Sequence, residues 1–199
     1  MISDGVLDVA AGPAPAARLL AHWWSRPTCE EAESWGSCWP GACEVAGLLG
    51  LTCDGVEALR SALGGSAGDE LLAEYERLLN GPGRAPCPPY ESLWREDGPK
   101  REQGRLMGPA AGGIARLYGE IGLRVRADAH ELPDHLAIEW EALAFALEHD
   151  AAEVAASLVD EHLVLWMPLF CAAVEAETVH PFYAALASLT AGWTAALAG

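Results

Sequence analysis

The sequence predicts an all-α protein, a single-domain helical bundle of about eight to ten helices that spans residues 1–199. Leucine occurs 27 times, whereas isoleucine and valine together occur 14 times, which favours helices over strands. No segment alternates apolar and polar residues with the two-residue period of a strand. With 199 residues, 51% of them apolar and 21% charged, the chain can bury one sizeable core without crosslinks.

Helix-start and helix-stop signals divide the first 80 residues. Thr28 begins a capping box that ends at Glu31 and opens the second helix, which Pro40 is expected to interrupt. Asn80, with the Gly-Pro-Gly that follows it, forms a cap and a breaker after the last of these helices. The predicted helices cover residues 14–24, 28–49 with a break near Trp39, 54–63 and 69–80.

The second half of the chain follows the same logic after a long connection. Residues 81–104 are rich in proline and charge, so they are predicted to be the principal loop, and a helix is predicted over 106–121. Pro133 suits the first turn of a helix and is expected to open a long helix that ends near His149. The large apolar residues of that helix recur at helical spacing: Leu136, Trp140, Leu143 and Leu147.

Two apolar helices are predicted at the carboxyl end. Residues 151–177 form the first, with a bend expected near Pro168, and residues 181–198 form the second. Tryptophans that fall in helical stripes are predicted to belong to the core: Trp23, Trp24, Trp166 and Trp193.

The net charge of the chain is 12 − 29 = −17, which argues against a nucleic-acid-binding protein because phosphates require a basic surface. Residues 127–199 contain 12 acidic residues and neither lysine nor arginine. Two interpretations stay open for this stretch. It forms a solvated acidic surface that aids solubility, or it provides a field that attracts a basic peptide.

Targeting signals and cysteine spacing favour a cytoplasmic protein. The amino terminus has neither the basic region nor the apolar region of a secretory leader, and we expect no membrane insertion. The six cysteines form no C-x-x-C pair, so we expect small buried thiols in a reducing compartment.

The sequence does not resemble an enzyme. It has no phosphate-binding P-loop, no dinucleotide fingerprint and no G-x-S-x-G nucleophile turn, so neither catalytic residues nor a cofactor are expected. His130 and His135 are five residues apart with Pro133 between them, which prevents one helical face from carrying both. His135 and Glu139 could ligate a metal, but a hydrogen-bonded pair is the commoner arrangement, so no metal is expected.

Three segments carry a resemblance to a known family. They are Cys-Pro-Pro-Tyr-Glu-Ser-Leu-Trp at 87–94, Glu-Leu-Pro-Asp-His-Leu-Ala-Ile-Glu at 131–139, and His-Leu-Val-Leu-Trp-Met-Pro-Leu-Phe at 162–170 with Pro-Phe-Tyr at 181–183. Together they resemble the TorD/DmsD/NarJ family of redox-enzyme maturation chaperones, and the second segment is the most specific of the three.

The resemblance implies an all-α chaperone without catalytic activity. Such a protein binds the leader or N-terminal segment of the apo catalytic subunit of a molybdopterin oxidoreductase, often a twin-arginine signal peptide, and assists cofactor insertion before folding or export. Carried over to this chain, the client groove would be lined by Tyr90, Glu91, Ser92 and Trp94. Its polar edge would be formed by Pro133, Asp134, His135 and Glu139.

Physical chemistry supports these residue types for that task. A twin-arginine leader combines guanidinium groups with an apolar segment, so its receptor needs carboxylates beside an aromatic groove. Asp134 is expected in the first turn of its helix, where helix capping is the alternative interpretation. If Asp134 and His135 form the client edge, Asp134→Asn and His135→Ala should weaken client binding and leave thermal stability nearly intact.

Two other functions remain open at this stage. One is a helical adaptor that binds a different basic or amphipathic peptide, and the other is a metal-dependent hydrolase that uses His130, His135 and Glu139. The oligomeric state is expected to be a monomer or a dimer swapped through the loop at 81–104.

Overall fold

The computed structural model of the chain describes residues 13–28, 35, 39–64, 66, 68–81, 85–96, 104–126 and 131–198. Within these residues the chain forms helices and no β-strand, so the prediction of an all-α bundle is confirmed. In chain order the helices are α1 (Pro13–Trp23), α2 (Trp39–Leu48), α3 (Asp54–Gly64), α4 (Gly68–Tyr75), α5 (Glu91–Trp94), α6 (Pro109–Glu120), α7 (Leu136–Glu148), α8 (Ala152–Glu177) and α9 (Pro181–Ala198).

Two of these helices include π-helical turns. α4 continues into a π-helical segment at Glu76–Asn80, and α8 contains one at Leu158–Leu163. The irregularity in α8 therefore lies before Pro168, which the α-helical part accommodates. Such π turns rotate the side chains that follow them, and the one in α8 carries His162 towards α5.

Some predicted boundaries differ from the structure. The helix expected to open at Pro133 begins at Leu136, because the ring nitrogen Nδ1 of His135 accepts the Ala137 N–H at 3.2 Å and caps the helix. The predicted loop at 81–104 includes the short helix α5. The capping box after Thr28 extends over residues 29–31, which lie outside the described residues.

The core is built on the contact between α1 and α7. Alanines on both helices allow their axes to approach closely: Ala16, Ala17, Ala142 and Ala146 are all buried. Arg18 closes the same contact at the surface through two hydrogen bonds to Glu148, at 2.6 and 2.9 Å. The predicted core tryptophans, Trp23, Trp24, Trp166 and Trp193, are fully buried, and that prediction is confirmed.

α8 is the central apolar helix of the bundle. By length and composition it is the one helix of the described residues that could cross a membrane, and 56% of its most apolar window is buried inside the protein. It packs against α9 along its second half, and its π-helical segment contacts α6, α7 and α9. α8 thus behaves as a core helix and brings its middle turns next to α5 and α6.

A buried carboxylate fastens α4 to the connection between α8 and α9. Glu74 Oε1 accepts from the Thr178 hydroxyl at 2.8 Å and from the Val179 N–H at 2.9 Å. Arg77 donates to both oxygens of the same carboxylate, at 2.7 and 2.8 Å. Glu74 is only 5% exposed, so these four hydrogen bonds compensate a charge that has little contact with water.

The cysteines depart from the expectation of uniformly buried thiols. Cys87 and Cys171 are buried and free, as expected. Cys43 of α2 and Cys53, just before α3, are half-buried and form a disulfide across ten residues of chain. Uniform thiol burial is therefore wrong for this pair, because the short turn between α2 and α3 brings the two side chains together.

Candidate functional site

The structure joins the first two segments singled out in the sequence. Tyr90 and His135 form an isolated antiparallel bridge, and the Glu91 N–H donates to the Asp134 carbonyl at 3.0 Å. The Leu136 N–H donates to the Pro89 carbonyl at 2.9 Å. Residues 88–94 and 131–139 are therefore held side by side by main-chain hydrogen bonds.

Asp134 reinforces this contact from the interior. Its side chain is fully buried, and Oδ2 accepts the Ser92 N–H at 3.0 Å in the first turn of α5. The residue was expected in the first turn of its own helix, but it precedes the His135 cap and instead caps the neighbouring helix. Its carboxylate thus holds two segments together and has no contact with solvent.

Glu91 connects α5 to α8. The carboxylate is fully buried; His162 Nδ1 lies 2.7 Å from Oε2, and Arg95 Nη1 donates to Oε1 at 2.5 Å. The same Arg95 nitrogen donates to the Glu161 carbonyl at 2.8 Å. Glu91 is thereby paired with the Arg95 guanidinium and hydrogen-bonded to His162, so its buried carboxylate has partners on both oxygens.

Glu139 lies deeper in the same network. Its Oε2 accepts the Trp166 indole N–H at 3.1 Å, whereas Oε1 has no hydrogen-bond partner among the described residues. Burial, together with the nearby negative charge of Glu91, raises the pKa of Glu139 well above its ordinary value. The neutral, protonated form of the side chain is therefore favoured relative to an exposed glutamate.

The aromatic members of the site are only half-buried. The Tyr90 hydroxyl donates to Glu131 at 2.9 Å, and its ring meets His135 edge-on at 5.3 Å. Trp94 turns towards α8, where its ring contacts Phe170 at 5.7 Å. Burial lowers the pKa of His135, which favours the neutral imidazole. In that form Nδ1 can accept the hydrogen bond from the Ala137 N–H.

The predicted site residues thus fall into two classes of exposure. Those that are half-exposed at the surface are Tyr90, Trp94 and Pro133. Those that are buried and act inside the contact are Glu91, Ser92, Asp134, His135 and Glu139. Only the first class is accessible from solvent, whereas the second class positions other groups inside the protein.

A cavity of about 430 Å³ opens beside the buried network, and we call it the α6/α8 cavity. Its floor includes Arg95 and His162, the two partners of Glu91. Asp160, Glu161 and Leu165 of α8 lie on its wall, and all three are exposed. The opposite wall is the start of α6, where a Cβ on Gly113 would lie 3.5 Å from the ring of the buried His162.

A second cavity, of about 310 Å³, is lined by α7, by residues 123–126 after α6 and by Arg18 of α1, and we call it the α1/α7 cavity. Its wall is mainly apolar and includes Ile138 and Phe145. Three arginines and one glutamate surround it: Arg18, Arg124, Arg126 and Glu141. The two cavities therefore differ in charge, because the first has acidic residues at its mouth and the second has arginines.

The sequence analysis did not select the residues that surround the α6/α8 cavity. His162 was noted only as part of the third segment of the resemblance, and Arg95, Asp160 and Glu161 were not selected. The spacing of Glu91 and Arg95 by four residues on one helix was the available signal for that ion pair. The approach of α8 was not predictable, because it depends on a π-helical turn.

The metal site considered from the sequence does not form around His135. Its Nδ1 is occupied by the Ala137 N–H and Glu139 faces Trp166, while His130 lies outside the described residues. Among the residues that the structure describes, a cluster of three metal-ligand side chains occurs elsewhere, at Cys43, Cys53 and Glu57.

Comparison with known proteins assigns the chain to a family. The family model of the nitrate reductase delta subunit matches residues 51–172, which include the segments at 88–94 and 131–139. The Tat proofreading chaperone DmsD of Salmonella typhi is 27% identical over 133 residues, covering 65% of this chain and 63% of the relative. The chaperone protein TorD of Shewanella pealeana is 29% identical over 126 residues, covering 62% of this chain and 57% of the relative. The alignments thus span less than two thirds of the length of these relatives.

A solved structure supports the fold over nearly the whole chain. A candidate redox enzyme maturation protein of Archaeoglobus fulgidus superposes with a TM-score of 0.60 at 21% identity, covering 96% of both chains. These relatives are named as chaperones and a maturation protein rather than as enzymes, so the expectation of a non-enzymatic family is confirmed. The resemblance noted in the sequence is confirmed as well, and the chain belongs to the nitrate reductase delta subunit family.

Proposed function

We propose that this protein is a cytoplasmic chaperone that binds the leader or N-terminal segment of the apo catalytic subunit of a molybdopterin oxidoreductase. By holding that segment, it would delay folding or export of the subunit until the cofactor has been inserted. Family membership and the chaperone names of the relatives support this role. The observation that carries it is the α6/α8 cavity, where acidic and apolar side chains meet beside the two matched segments.

The chemistry of that cavity suits a segment with cationic and apolar parts. Asp160 and Glu161 are exposed carboxylates at its mouth and can approach guanidinium groups. Leu165 is 41% exposed, and Leu169, one turn further along α8, is 43% exposed, so an apolar stripe continues from the acidic mouth. An amphipathic peptide laid along this face would place its arginines near the carboxylates and its apolar side chains on the leucines.

The arginines around the α1/α7 cavity argue against that cavity as the leader site. Arg124 is an exposed cation beside this cavity, whereas two exposed carboxylates lie at the mouth of the α6/α8 cavity and would attract a twin-arginine segment. We therefore place the leader along α8 in this proposal.

The residues predicted from the resemblance have two roles in this proposal. Tyr90, Trp94 and Pro133 are half-exposed and are proposed to contact the client directly. The five buried members are proposed as positioning residues, because they fix α5 against α8 and hold Arg95 and His162 at the cavity floor.

Binding of a synthetic leader peptide tests the acidic mouth. A fluorescent twin-arginine peptide should bind wild-type protein, and its affinity should fall as salt is raised from about 50 mM to about 500 mM. The double variant Asp160→Asn/Glu161→Gln should bind about 3- to 10-fold more weakly and should lose part of the salt dependence.

A second double variant provides the matched control for this experiment. Asp150→Asn/Glu153→Gln removes the same charge from exposed positions roughly two turns earlier, near the start of α8, and should leave affinity unchanged. Equal losses of peptide affinity in both double variants would show that only net charge matters. An affinity that changes neither with salt nor with these substitutions would contradict the proposed site.

The apolar stripe is tested by replacing a leucine. Leu165→Ser should weaken peptide binding on the order of tenfold, because the apolar part of the leader would lose a surface to cover. Leu48→Ser is the matched control, since Leu48 is 50% exposed at the end of α2, away from the cavity. An equal response of both variants would show that Leu165 does not contact the peptide.

Co-purification distinguishes a maturation chaperone from a general adaptor. Affinity-tagged full-length protein expressed in its own host should retain a molybdopterin oxidoreductase catalytic subunit lacking its cofactor. Recovery of an unrelated basic protein would favour the adaptor. The same preparation, analysed by light scattering, tests the prediction of a monomer or a swapped dimer.

A further inference from the structure

The cluster formed by Cys43, Cys53 and Glu57 lies apart from the client site. Cys43 belongs to α2, Cys53 immediately precedes α3, and Glu57 lies in the first turn of α3. One ligand atom from each side chain lies within 4.8 Å of the other two. The disulfide between the two cysteines demonstrates that the backbone already brings the sulfur atoms together, with Cα atoms 5.1 Å apart.

Glu57 is oriented towards the sulfur atoms. Its Oε2 is held by Arg60, whose Nη2 lies at 2.6 Å and whose Nε lies at 3.0 Å. The other oxygen, Oε1, lies 3.9 Å from Cys43 Sγ. The Glu57 N–H donates to the Cys53 carbonyl at 2.9 Å, so the residue that supplies the second sulfur is joined to the first turn of α3. Oε1 thus faces Cys43 while Oε2 is held by Arg60.

Two thiolates and a carboxylate at these separations match the ligand set of a zinc-class ion. Zinc–sulfur bonds of about 2.3 Å and zinc–oxygen bonds of about 2.0 Å put tetrahedral ligand atoms roughly 3.5–4 Å apart. That spacing lies within the 4.8 Å of this cluster. Thiolate ligands select borderline and soft divalent ions over magnesium or calcium.

We propose that, when reduced, Cys43, Cys53 and Glu57 bind one zinc-class divalent ion, with water as the fourth ligand, and so tie α2 to α3. Reduction of the disulfide takes two electrons and two protons from two thiol groups, which become a disulfide, or two electrons from a phosphine, which becomes a phosphine oxide while water supplies the oxygen and the two protons. Metal binding then releases the two thiol protons and forms two metal–sulfur bonds. The disulfide and the metal ion are alternative crosslinks between α2 and α3. The redox state of the two cysteines decides which crosslink is present.

Cobalt(II) is the probe for this site. Full-length protein is reduced with a phosphine and titrated with cobalt(II) without oxygen. A thiolate-to-cobalt charge-transfer absorption should appear in the near ultraviolet, saturate at one ion per chain, and disappear when zinc is added. Cys43→Ser and Cys53→Ser should each abolish the absorption, and Glu57→Gln should weaken cobalt binding at least about tenfold.

Glu44→Gln is the matched control. Glu44 is an exposed carboxylate that neighbours Cys43 on α2 and does not belong to the cluster, so cobalt affinity should not change. Absence of the absorption in reduced wild-type protein would overturn the proposal. So would an absorption that persists in both cysteine variants, or equal cobalt affinities of the Glu57→Gln variant and the wild type. The last comparison remains decisive even if a cysteine variant fails to fold.

Discussion

The carboxylates of this protein form two groups with the same chemistry and opposite surroundings. Buried carboxylates join separate segments of the chain: Glu74, Glu91, Asp134 and Glu139, none more than 5% exposed. Exposed carboxylates lie at the mouth of the α6/α8 cavity: Asp160 and Glu161. Each carboxylate of the first group accepts at least one hydrogen bond from another segment of the protein, whereas the second group is exposed to water.

This difference in exposure distinguishes the carboxylates that stabilise the fold from those that can bind a ligand. A buried charge is costly unless it is paired, so the identity of a buried carboxylate is tied to specific partners on other segments. The exposed carboxylates are less constrained: Glu161 accepts the Ser157 hydroxyl at 3.0 Å but stays exposed, so it can still approach a ligand. The carboxylates within the segments that carry the family resemblance belong mainly to the buried group. The carboxylates proposed to contact the client, Asp160 and Glu161, lie just outside those segments.

The largest expected effect follows from removing the charge of Glu91. Glu91→Gln should lower the free energy of unfolding by about 3–5 kcal/mol, because Arg95 and His162 lose a buried partner. Urea unfolding at pH 7 measures the change.

Glu161→Gln is the control for this variant. Glu161 is exposed, so its substitution should change the free energy of unfolding by no more than about 0.5 kcal/mol. Similar losses in the two variants would break the distinction between buried and exposed carboxylates.

Glu74 is expected to give the next largest effect and a pH dependence. Burial raises the pKa of the Glu74 carboxyl, but hydrogen bonds from Arg77, Val179 and Thr178 outweigh it and lower the pKa from 4.5 to about 2. Because the folded-state pKa is below that of the unfolded chain, the stabilisation is present above about pH 4.5 and is lost as the pH falls towards 2.

Glu74→Gln measures that contribution. At pH 7 the variant should be less stable by about 1.5–3 kcal/mol, because hydrogen bonds to a charged group are replaced by neutral ones. The difference from wild type should shrink steadily in urea titrations between pH 5 and pH 2, since protonation removes the same charge from the wild type. A difference that is constant over this range would assign the loss to packing.

The fold could be predicted from the sequence because helix signals are local. The stripe of Leu136, Trp140 and Leu143 specified α7, and those side chains are fully buried in the structure. The start of α7 was misplaced by three residues, because Pro133 favoured an earlier start and the cap is a histidine, which is an uncommon residue at that position.

The candidate site could be predicted only as a set of residues. The two segments at 87–94 and 131–139 were identified together, and main-chain hydrogen bonds join them. Which of their side chains face solvent could not be predicted, because burial of Glu91 and Glu139 depends on α8 packing over them. The cavity itself is a product of that packing and has no sequence signature of its own.

Substitution of Asp134 should have a smaller effect on the free energy of unfolding, and this prediction differs from the one made from the sequence. As an exposed client-contacting residue, it was expected to be replaceable without loss of stability. Its buried cap on Ser92 N–H instead predicts that Asp134→Ala lowers the free energy of unfolding by about 1 kcal/mol, with peptide affinity falling only as far as the cavity is displaced. Thermal unfolding and peptide titration of the same sample measure both quantities, and a loss of affinity at unchanged stability would restore direct contact.

Glu139 should give the smallest effect at neutral pH and a trend of opposite sign to that of Glu74. Burial and the charge of Glu91 raise the pKa of Glu139, so the neutral acid contributes its full stability at low pH and loses it as the pH rises through the raised value. Glutamine resembles the neutral acid in shape and cannot ionise, so Glu139→Gln should change stability by less than about 1 kcal/mol at pH 6.

The pH trend of this variant distinguishes a neutral Glu139 from an ionised one. As the pH rises above about 4.5, Glu139→Gln should gain stability relative to wild type in urea titrations, whereas the exposed control Glu153→Gln should follow the wild type throughout. A deficit of several kcal/mol at every pH would mean that Glu139 is ionised and paired in the folded protein. Glu139 would then resemble Glu91 and Glu74, which are ionised carboxylates that join segments of the chain. The interior beside the α6/α8 cavity would carry one more negative charge than we infer.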